Sequence, residues 1–375
     1  MIYNGSKYNR QWETKKLSEL GVFARGKSKH RPRNDERLFE GGGYPLVQTG
    51  EIKDANLYIR HHEQEYGDFG LKQSKLWNTG TLCITIAANI AETAILAYPM
   101  CFPDSIVGFS ANHEKSSEKF MYYIFEYIKK SIQNAATGSI QDNINIDYLT
   151  SLDFKVPSKK YQDEMVMLLS AIDEKILLNS EINDNLSAMA YDIYMHNFFS
   201  KKPNAKLKDI LTEAEKSAIQ VGEAKTSNGE YPFFTSGATI LKWNEPFVDG
   251  RNCFLNTGGN ADVKFYVGKA AYSTDTWSIS AKSEMSDYLY LMLFSIKPEL
   301  DQKFFQGTGL KHLQKPLLKD RPIYVPEKLE LEAFNRQVMP MFDIISENTR
   351  ENQQLTSLRD WLLPMLMNGQ ATISD

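Results

Sequence analysis

The chain is written twice, and this duplication constrains its fold more than any single motif does. Tyr44-Pro45-x4-Gly50 returns as Tyr231-Pro232-x4-Gly237, Gly80-x2-Cys83 as Gly250-x2-Cys253, and Asp104 as Asp275. Thr137-Gly138 returns as Thr308-Gly309, and Val156-Pro157 as Val325-Pro326. The last four matches are offset by 169 to 171 positions. One match could arise by chance; five in the same order, the last four at a nearly constant offset, mark a diverged repeat. A chain of 375 residues is too long for one core, because domains run to roughly 100–200 residues. The repeat divides it into two similar halves, each with its own core.

Each half ends in a long run with helical period and little Gly or Pro. In the first, Met165, Ile172, Asn179, Leu186 and Ile193 lie seven apart, with Leu169, Ile176, Asn183 and Ala190 as a companion row four residues on. Shifted by 169, the same rows are Phe334, Met341, Asn348, Leu355 and Leu362, with Val338, Ile345, Asn352 and Arg359. Rows of spacing seven offset by four form the seam of a coiled coil. Both copies set Asn in the third layer of both rows. A buried Asn weakens a seam but penalises slipped registers, since a shifted helix leaves its amide against aliphatic groups. The helix-pairing residues are therefore Ile172, Ile176, Asn179, Asn183 and Leu186 facing Met341, Ile345, Asn348, Asn352 and Leu355. The first helix is predicted over 158–199 with Ser158 as N-cap, a span of roughly 60 Å at ~1.5 Å per residue. The second is predicted from near Glu327 to Asn368-Gly369, with Pro364 bending or fraying its last turn.

Ahead of each helix lies a globular stretch of short β-rich runs broken by Gly, Asn and Pro, such as Thr81–Ile86 and Asp262–Val267. Short helices are expected near 118–133 and 284–305. The fold class is α+β, and the predicted divisions are 1–157, a central helix 158–202, 203–326 and a C-terminal helix 327–375.

The functional classes narrow by exclusion. No apolar run approaches the ~18 residues of a membrane span, and no hydrophobic segment follows the N-terminus, so neither a membrane anchor nor a signal peptide is expected. Three cysteines without metal-ligand spacing read as reduced cytoplasmic thiols. Asn244-Glu245-Pro246-Phe247 only superficially matches an amino-methyltransferase signature, and no glycine-rich turn for S-adenosylmethionine accompanies it. Gly41-Gly42-Gly43 lacks the Lys-Ser/Thr of a phosphate loop, and Pro103-Asp104 lacks the downstream acid-x-Lys of a nuclease. His61-His62 lacks a third metal ligand. The reading is a non-enzyme with no cofactor and no metal.

The net charge of -4 argues against a uniformly basic coat but not against a local patch. Such a patch exists at Arg25, Lys27, Lys29, Arg31, Arg33 and Arg37. Gly26, Pro32 and Asn34 keep it an irregular loop, and a loop of this kind gains affinity for a polyanion by releasing counterions. The second copy has no equivalent; Glu213, Glu215 and Glu223 are interspersed there with Lys216 and Lys225. Base edges are read by amides, hydroxyls and guanidinium forks on rigid loops. Gln48, Thr49 and Lys53 follow the first Tyr-Pro, and Thr235, Ser236 and Lys242 the second. Thr85 and Asn89, with Arg251 and Asn256, occupy the next repeated strand and loop. Gln141 follows one Thr-Gly, and Lys311 and His312 the other. Taken singly, each of these groups serves equally well to cap a turn.

Several stretches resemble the specificity (S) subunit of type I restriction-modification systems. They are Gly26-Lys27-Ser28, Tyr44 through Ile52, Gly80 through Thr85, Ala136 through Gln141, Val156-Pro157-Ser158, and Leu362 through Gly369. Tyr231 through Trp277 resembles a second variety of that family's target-recognition domain. The likeness covers nearly the whole chain; one departure is Tyr161, where the family commonly has an acidic residue before the Gln. The resemblance implies a cytoplasmic, non-catalytic reader of double-stranded DNA, with one recognition domain per half of a split target and two antiparallel helices as a ruler between them. It also implies two methyltransferase (M) subunits docked on the helices and restriction/translocase (R) subunits joining later. A coiled-coil adaptor that binds only protein is the alternative.

Overall fold

The computed structural model describes residues 2–138 and 144–373, so the expected reader Gln141 lies outside the described residues. Contacts divide the chain into two compact units, Met1–Leu177 with Gln354–Asp375, and Leu178–Gln353. Each unit thus holds one globular stretch and a section of both long helices. The long helices begin at Lys159 and Lys328, and the compact units extend past those points because each globular stretch packs onto helix.

In the first unit a five-stranded sheet runs Gly21–Arg25, Ile106–Ala111, Leu82–Thr85, Thr93–Leu96 and Tyr58–Ile59. Leu82–Thr85 is buried on both faces, as its unbroken apolar run requires. The helix Glu118–Gly138 covers the sheet with Phe120, Tyr123, Ile124, Ile128 and Ile132, all buried at helical spacing. Ser117 caps its start, its hydroxyl accepting the Phe120 N–H at 3.1 Å. A second, four-stranded sheet joins Gln64–Tyr66, Tyr44–Leu46, Met100–Cys101 and Leu76–Trp77.

The second unit repeats this plan in register. Its main sheet runs Leu211–Glu213, Thr276–Ala281, Arg251–Asn256 and Val263–Val267. Cys83 faces Gly108 in the first unit, and Cys253 faces Ile279 in the second, positions 170 and 171 further on. The smaller sheets match too: Leu46 pairs in parallel with Cys101, and Phe233 with Ala271. The repeated glycines have a physical reason, since Gly80 and Gly250 turn the chain at φ +85 and +94, where a side chain is strained. A further repeat was not read from the sequence. Asn4 accepts from the Lys155 N–H at 2.7 Å, and Asn204 from the Val325 N–H at 2.7 Å, each tying the start of its globular stretch to the chain at the Val-Pro corner.

The long helices span Lys159–Asn197 and Lys328–Met367. Ser158 caps the first, accepting from the Tyr161 N–H at 3.4 Å. The second continues through Pro364 to Met367 and stops at Gly369, φ +75. In the first unit Met165 and Leu169 share a core with Leu363, Leu366 and Met367. There Asp173 accepts from Tyr123 Oη at 2.7 Å and from Arg359 Nη1 at 2.9 Å, one buried carboxylate joining three helices.

In the second unit Ala190 and Phe198 share a core with Phe334, Val338 and Phe342. Its helix sections run antiparallel: Asn179 Nδ2 donates to Asn352 Oδ1 at 2.9 Å, and Asn348 Nδ2 to Asn183 Oδ1 at 2.9 Å. Four residues forward on one helix meet four backward on the other. Under the offset of 169 these two hydrogen bonds exchange places, so the matched asparagines form a single layer with pseudo-two-fold symmetry. Ile172 is buried, and Ile176, Leu186, Met341, Ile345 and Leu355 are half-buried, all in the predicted rows.

Three outcomes are expected from this packing. Replacing Asn348 alone by Leu leaves Asn183 without its donor and lowers stability by about 1–3 kcal/mol. Replacing Asn179, Asn183, Asn348 and Asn352 together by Leu raises the Tm but yields mixed oligomers on light scattering; a uniform monomer would show that the layer does not select register. The third outcome concerns Asp287, whose pKa burial pushes up to about 6 against the pull of Arg251. The folded-state pKa exceeds the unfolded one, so the stabilisation is complete below about 4 and lost as pH rises through about 6. Moving from pH 7.5 to 5 should stabilise the protein relative to Asp287→Asn by about 1–1.5 kcal/mol in denaturant titrations. An unchanged difference would place the proton elsewhere.

Candidate nucleic-acid interface

The basic loop of the first unit leaves the strand Gly21–Arg25 at Gly26, which needs its bare Cα because a Cβ there would lie 2.1 Å from the Pro103 carbonyl oxygen. Backbone hydrogen bonds then hold the loop down, from the Lys27 N–H to Phe102 O at 3.1 Å and from the Lys29 N–H to Gln73 O at 3.0 Å. Asp35 gathers the next turn, bonding His30 Nε2 at 2.7 Å and accepting from Arg37 Nη2 at 2.7 Å. The Arg37 guanidinium and then His30 hold the Asp35 carboxyl well below the usual carboxylate range, so it stays charged. Arg31 and Arg33 both turn to Asp104, Arg31 Nη2 at 3.4 Å and Arg33 Nη2 more closely. The loop is therefore built rather than slack, and its cations are partly neutralised by its own acids.

Arg33, Arg37 and Gln48 come together on an open groove of about 840 Å³, with Asn34, Phe39, Gln64 and the acidic Glu36 and Glu40 beside them. Gln48 Nε2 donates to Gln64 Oε1 at 2.8 Å. Gln64 was not legible in the sequence, because only the pairing of Leu46 with Gln64 across two strands brings it there. Lys29 and Lys53 are exposed, while Lys27 and Thr49 are half-buried at the starts of the loop and of the helix Thr49–Asp54. Thr85 belongs elsewhere. It is fully buried, its hydroxyl donating to the Asn89 carbonyl and accepting the Glu92 N–H at 2.9 Å. It holds a loop in which Ala88, Asn89 and Ala91 have φ of +49, +44 and +61, and Asn89 itself is exposed.

In the second unit Ser236, Asn256 and His312 line a second groove of about 740 Å³, joined by Asn260, Asp275 and Lys297. Asn256 is a strut of this groove: its Nδ2 donates to the carbonyls of Ser236 at 3.0 Å and Asn260 at 3.2 Å. Thr235 is also buried, its hydroxyl accepting the Gly237 N–H at 3.0 Å. Lys311 pairs with Asp301 at 3.0 Å, and its carbonyl receives the Gly259 N–H at 2.9 Å. Lys242 sits half-buried on the strand Leu241–Trp243, away from the groove lining. Arg251 is a tie beneath the sheet, with Nη1 2.6 Å from the fully buried Asp287 and Nη2 on Asp343 of the C-terminal helix. Sequence pattern could not separate these struts from polar groups left exposed, since both use the same residue types on the same loops.

The two grooves thus ride on one repeated scaffold with different side chains: guanidinium and amide groups with the carboxylates of Glu36 and Glu40 in the first unit, and amide, imidazole and ammonium groups with the carboxylates of Asp262 and Asp275 in the second.

The type I restriction modification DNA specificity domain matches residues 9–188 and again residues 201–356. The specificity subunit of the type I restriction enzyme MjaIX of Methanocaldococcus jannaschii is 20% identical over 98% of this chain and 95% of its own. That of HindI from Haemophilus influenzae is 22% identical over 65% of this chain and 74% of its own. The crystal structure of a type-I restriction-modification S subunit from M. genitalium superposes over the full length of both chains with a TM-score of 0.64 at 16% identity, a likeness of fold. Two consecutive domain matches over most of its length place this chain in the type I restriction-modification DNA specificity family, as a specificity subunit with two copies of the domain.

Proposed function

We propose that this subunit reads a split and asymmetric double-stranded DNA target, each recognition domain (1–157 and 203–326) taking one half-site. The observation that carries this reading is the pair of unlike grooves on like scaffolds: identical surfaces would fit a palindrome, and these fit two different base sequences. The exposed or half-buried polar groups Lys27, Lys29, Arg33, Arg37, Gln48, Thr49, Lys53 and Asn89 serve the first half-site. Ser236, Lys311 and His312 serve the second, with Lys242 flanking them outside the groove. Thr85, Thr235, Arg251 and Asn256 act through the loops and strands they hold.

The paired helices set the distance between half-sites, because helices of 39 and 40 residues are stiff rods of roughly 60 Å. They also carry apolar groups that face solvent, among them Met167, Leu178 and Met189 on the central helix and Leu329, Ile344 and Trp361 on the C-terminal one. Such groups fit protein docking, here of two methyltransferase (M) subunits that hold the chemistry, with restriction/translocase (R) subunits added for cleavage. Cys83, Cys101 and Cys253 are buried and unpaired, which fits a cytoplasmic complex.

Mapping methylated adenines in the host genome tests the reading directly: two unequal half-sites at one fixed separation are expected, and a palindromic motif or none overturns it. Substituting Lys27 and Lys29 by Ala should weaken binding of the assembled complex to any DNA and reduce the log–log salt slope by roughly 2, read by fluorescence anisotropy. An unchanged slope would remove the loop from the interface. Deleting one matching heptad from both long helices removes about 10 Å of rod and should shorten the preferred spacer by about three base pairs. Retained preference for the original spacer would leave the helices no role as a ruler.

A further inference from the structure

An acidic residue stands at the heart of the basic loop, and it is one of the residues that the duplication repeats, as Asp275. Asp104 receives Arg33 Nη2 on Oδ1 and Arg31 Nη2 on Oδ2, and its backbone carbonyl accepts Arg25 Nε at 2.6 Å. Its two guanidinium partners are about half exposed, yet they are not equivalent. Arg31 Nη1 donates to Ser28 O at 2.6 Å and to His30 O at 2.8 Å, so this fork is committed to the loop's own backbone. Arg33 makes no other hydrogen bond among the described residues, and it alone of the two lines the groove that holds Gln48 and Gln64.

We propose that Asp104 is a specificity-determining positioning residue, which fixes the Arg33 fork so that its open edge reads a guanine in the first half-site. This rests on the DNA-reading function proposed above and assigns one base class to it. A guanidinium offers five N–H donors in a planar fork, and guanine offers the matching pair of acceptors, O6 and N7, in the major groove. Anchoring one Nη to a carboxylate removes the freedom of a long side chain and leaves two parallel donors for the base.

The carboxylate also decides against the competing ligand. A free arginine in a cationic loop is drawn to the nearest phosphate, which carries no sequence information. A phosphate oxygen approaching Arg33 meets the negative charge of Asp104 at its side and is repelled. The neutral acceptors of guanine are not. Asp104 therefore lowers non-specific affinity while sharpening the specific contact, a discrimination by repulsion as much as by attraction.

The test uses the assembled complex with its partner subunits and two probes, a randomised duplex library carried through rounds of selection and a single 40-base-pair duplex of scrambled sequence. Wild type should select a site with an invariant G·C pair in one half. Asp104→Asn should relax preference at that pair by roughly tenfold and bind the scrambled duplex more tightly, with a steeper salt slope. Arg33→Ala should relax the same pair but bind the scrambled duplex more weakly. Asp104→Glu, which keeps the charge, should retain weak binding to the scrambled duplex, an effect a merely structural role would not produce. Selection by Asp104→Asn unchanged at every position, or relaxed only at pairs that Arg33→Ala leaves intact, overturns the proposal while the DNA-reading function stands. A wild-type complex that selects no sequence overturns both.

Discussion

The layer of four asparagines where the long helices meet is the constraint on which the rest of the structure depends. Aliphatic seams tolerate slippage by a heptad, because one leucine packs much like another. A buried amide does not, since every displaced register leaves its donors and acceptors facing hydrocarbon. Asn179 with Asn352 and Asn183 with Asn348 therefore select one antiparallel alignment. Because each pair is the image of the other under the internal repeat, this one interaction expresses the duplication in three dimensions.

Each unit packs its sections of the long helices with different chemistry. In the first, Asp173 is buried between Tyr123 and Arg359. The positions that the repeat matches to Asp173 and Arg359 are Phe342 and Ala190, both in the apolar core of the second unit. A first half paired with a copy of itself would set the Asp173 carboxylate against Ala190, with no guanidinium to answer it. A second half paired with its own copy would set Arg359 against Phe342. An unpaired buried charge is far costlier than a missing apolar contact, so this asymmetry makes the two halves complements rather than interchangeable parts.

The recognition surfaces show the converse division. Their scaffold is conserved between units to the level of strand register and turn glycine, while the groups on the grooves have diverged completely. Polar residues there fall into two populations. Thr85, Asn256 and Arg251 satisfy backbone or buried charge and give the loops their shape. Arg33, Gln48, Ser236 and His312 stand on those shaped loops with part of their hydrogen-bonding capacity open. The basic loop belongs to both populations, since Asp35 and Asp104 organise its arginines while tempering their charge. A net charge of -4 is thus compatible with reading DNA, because the cations are placed and held rather than massed.

The amino-acid sequence by itself determined the duplication, the α+β class, the two long helices with their paired faces, and the asparagines of their shared layer. All of these are periodic or repeated patterns, and periodicity survives in one dimension. It also announced the basic loop as a local run of charge. Only the tertiary structure decided which polar residues stand open on the grooves and which hold the loops in shape, because that depends on strand pairings between segments distant in the chain. Gln64 reaches Gln48 across a strand pair, Arg251 finds Asp287 and Asp343 beneath the sheet, and Asp104 meets Arg31 and Arg33 from more than seventy residues away. No spacing rule encodes such meetings. They follow from the burial of two apolar cores, which fixes where every loop must emerge.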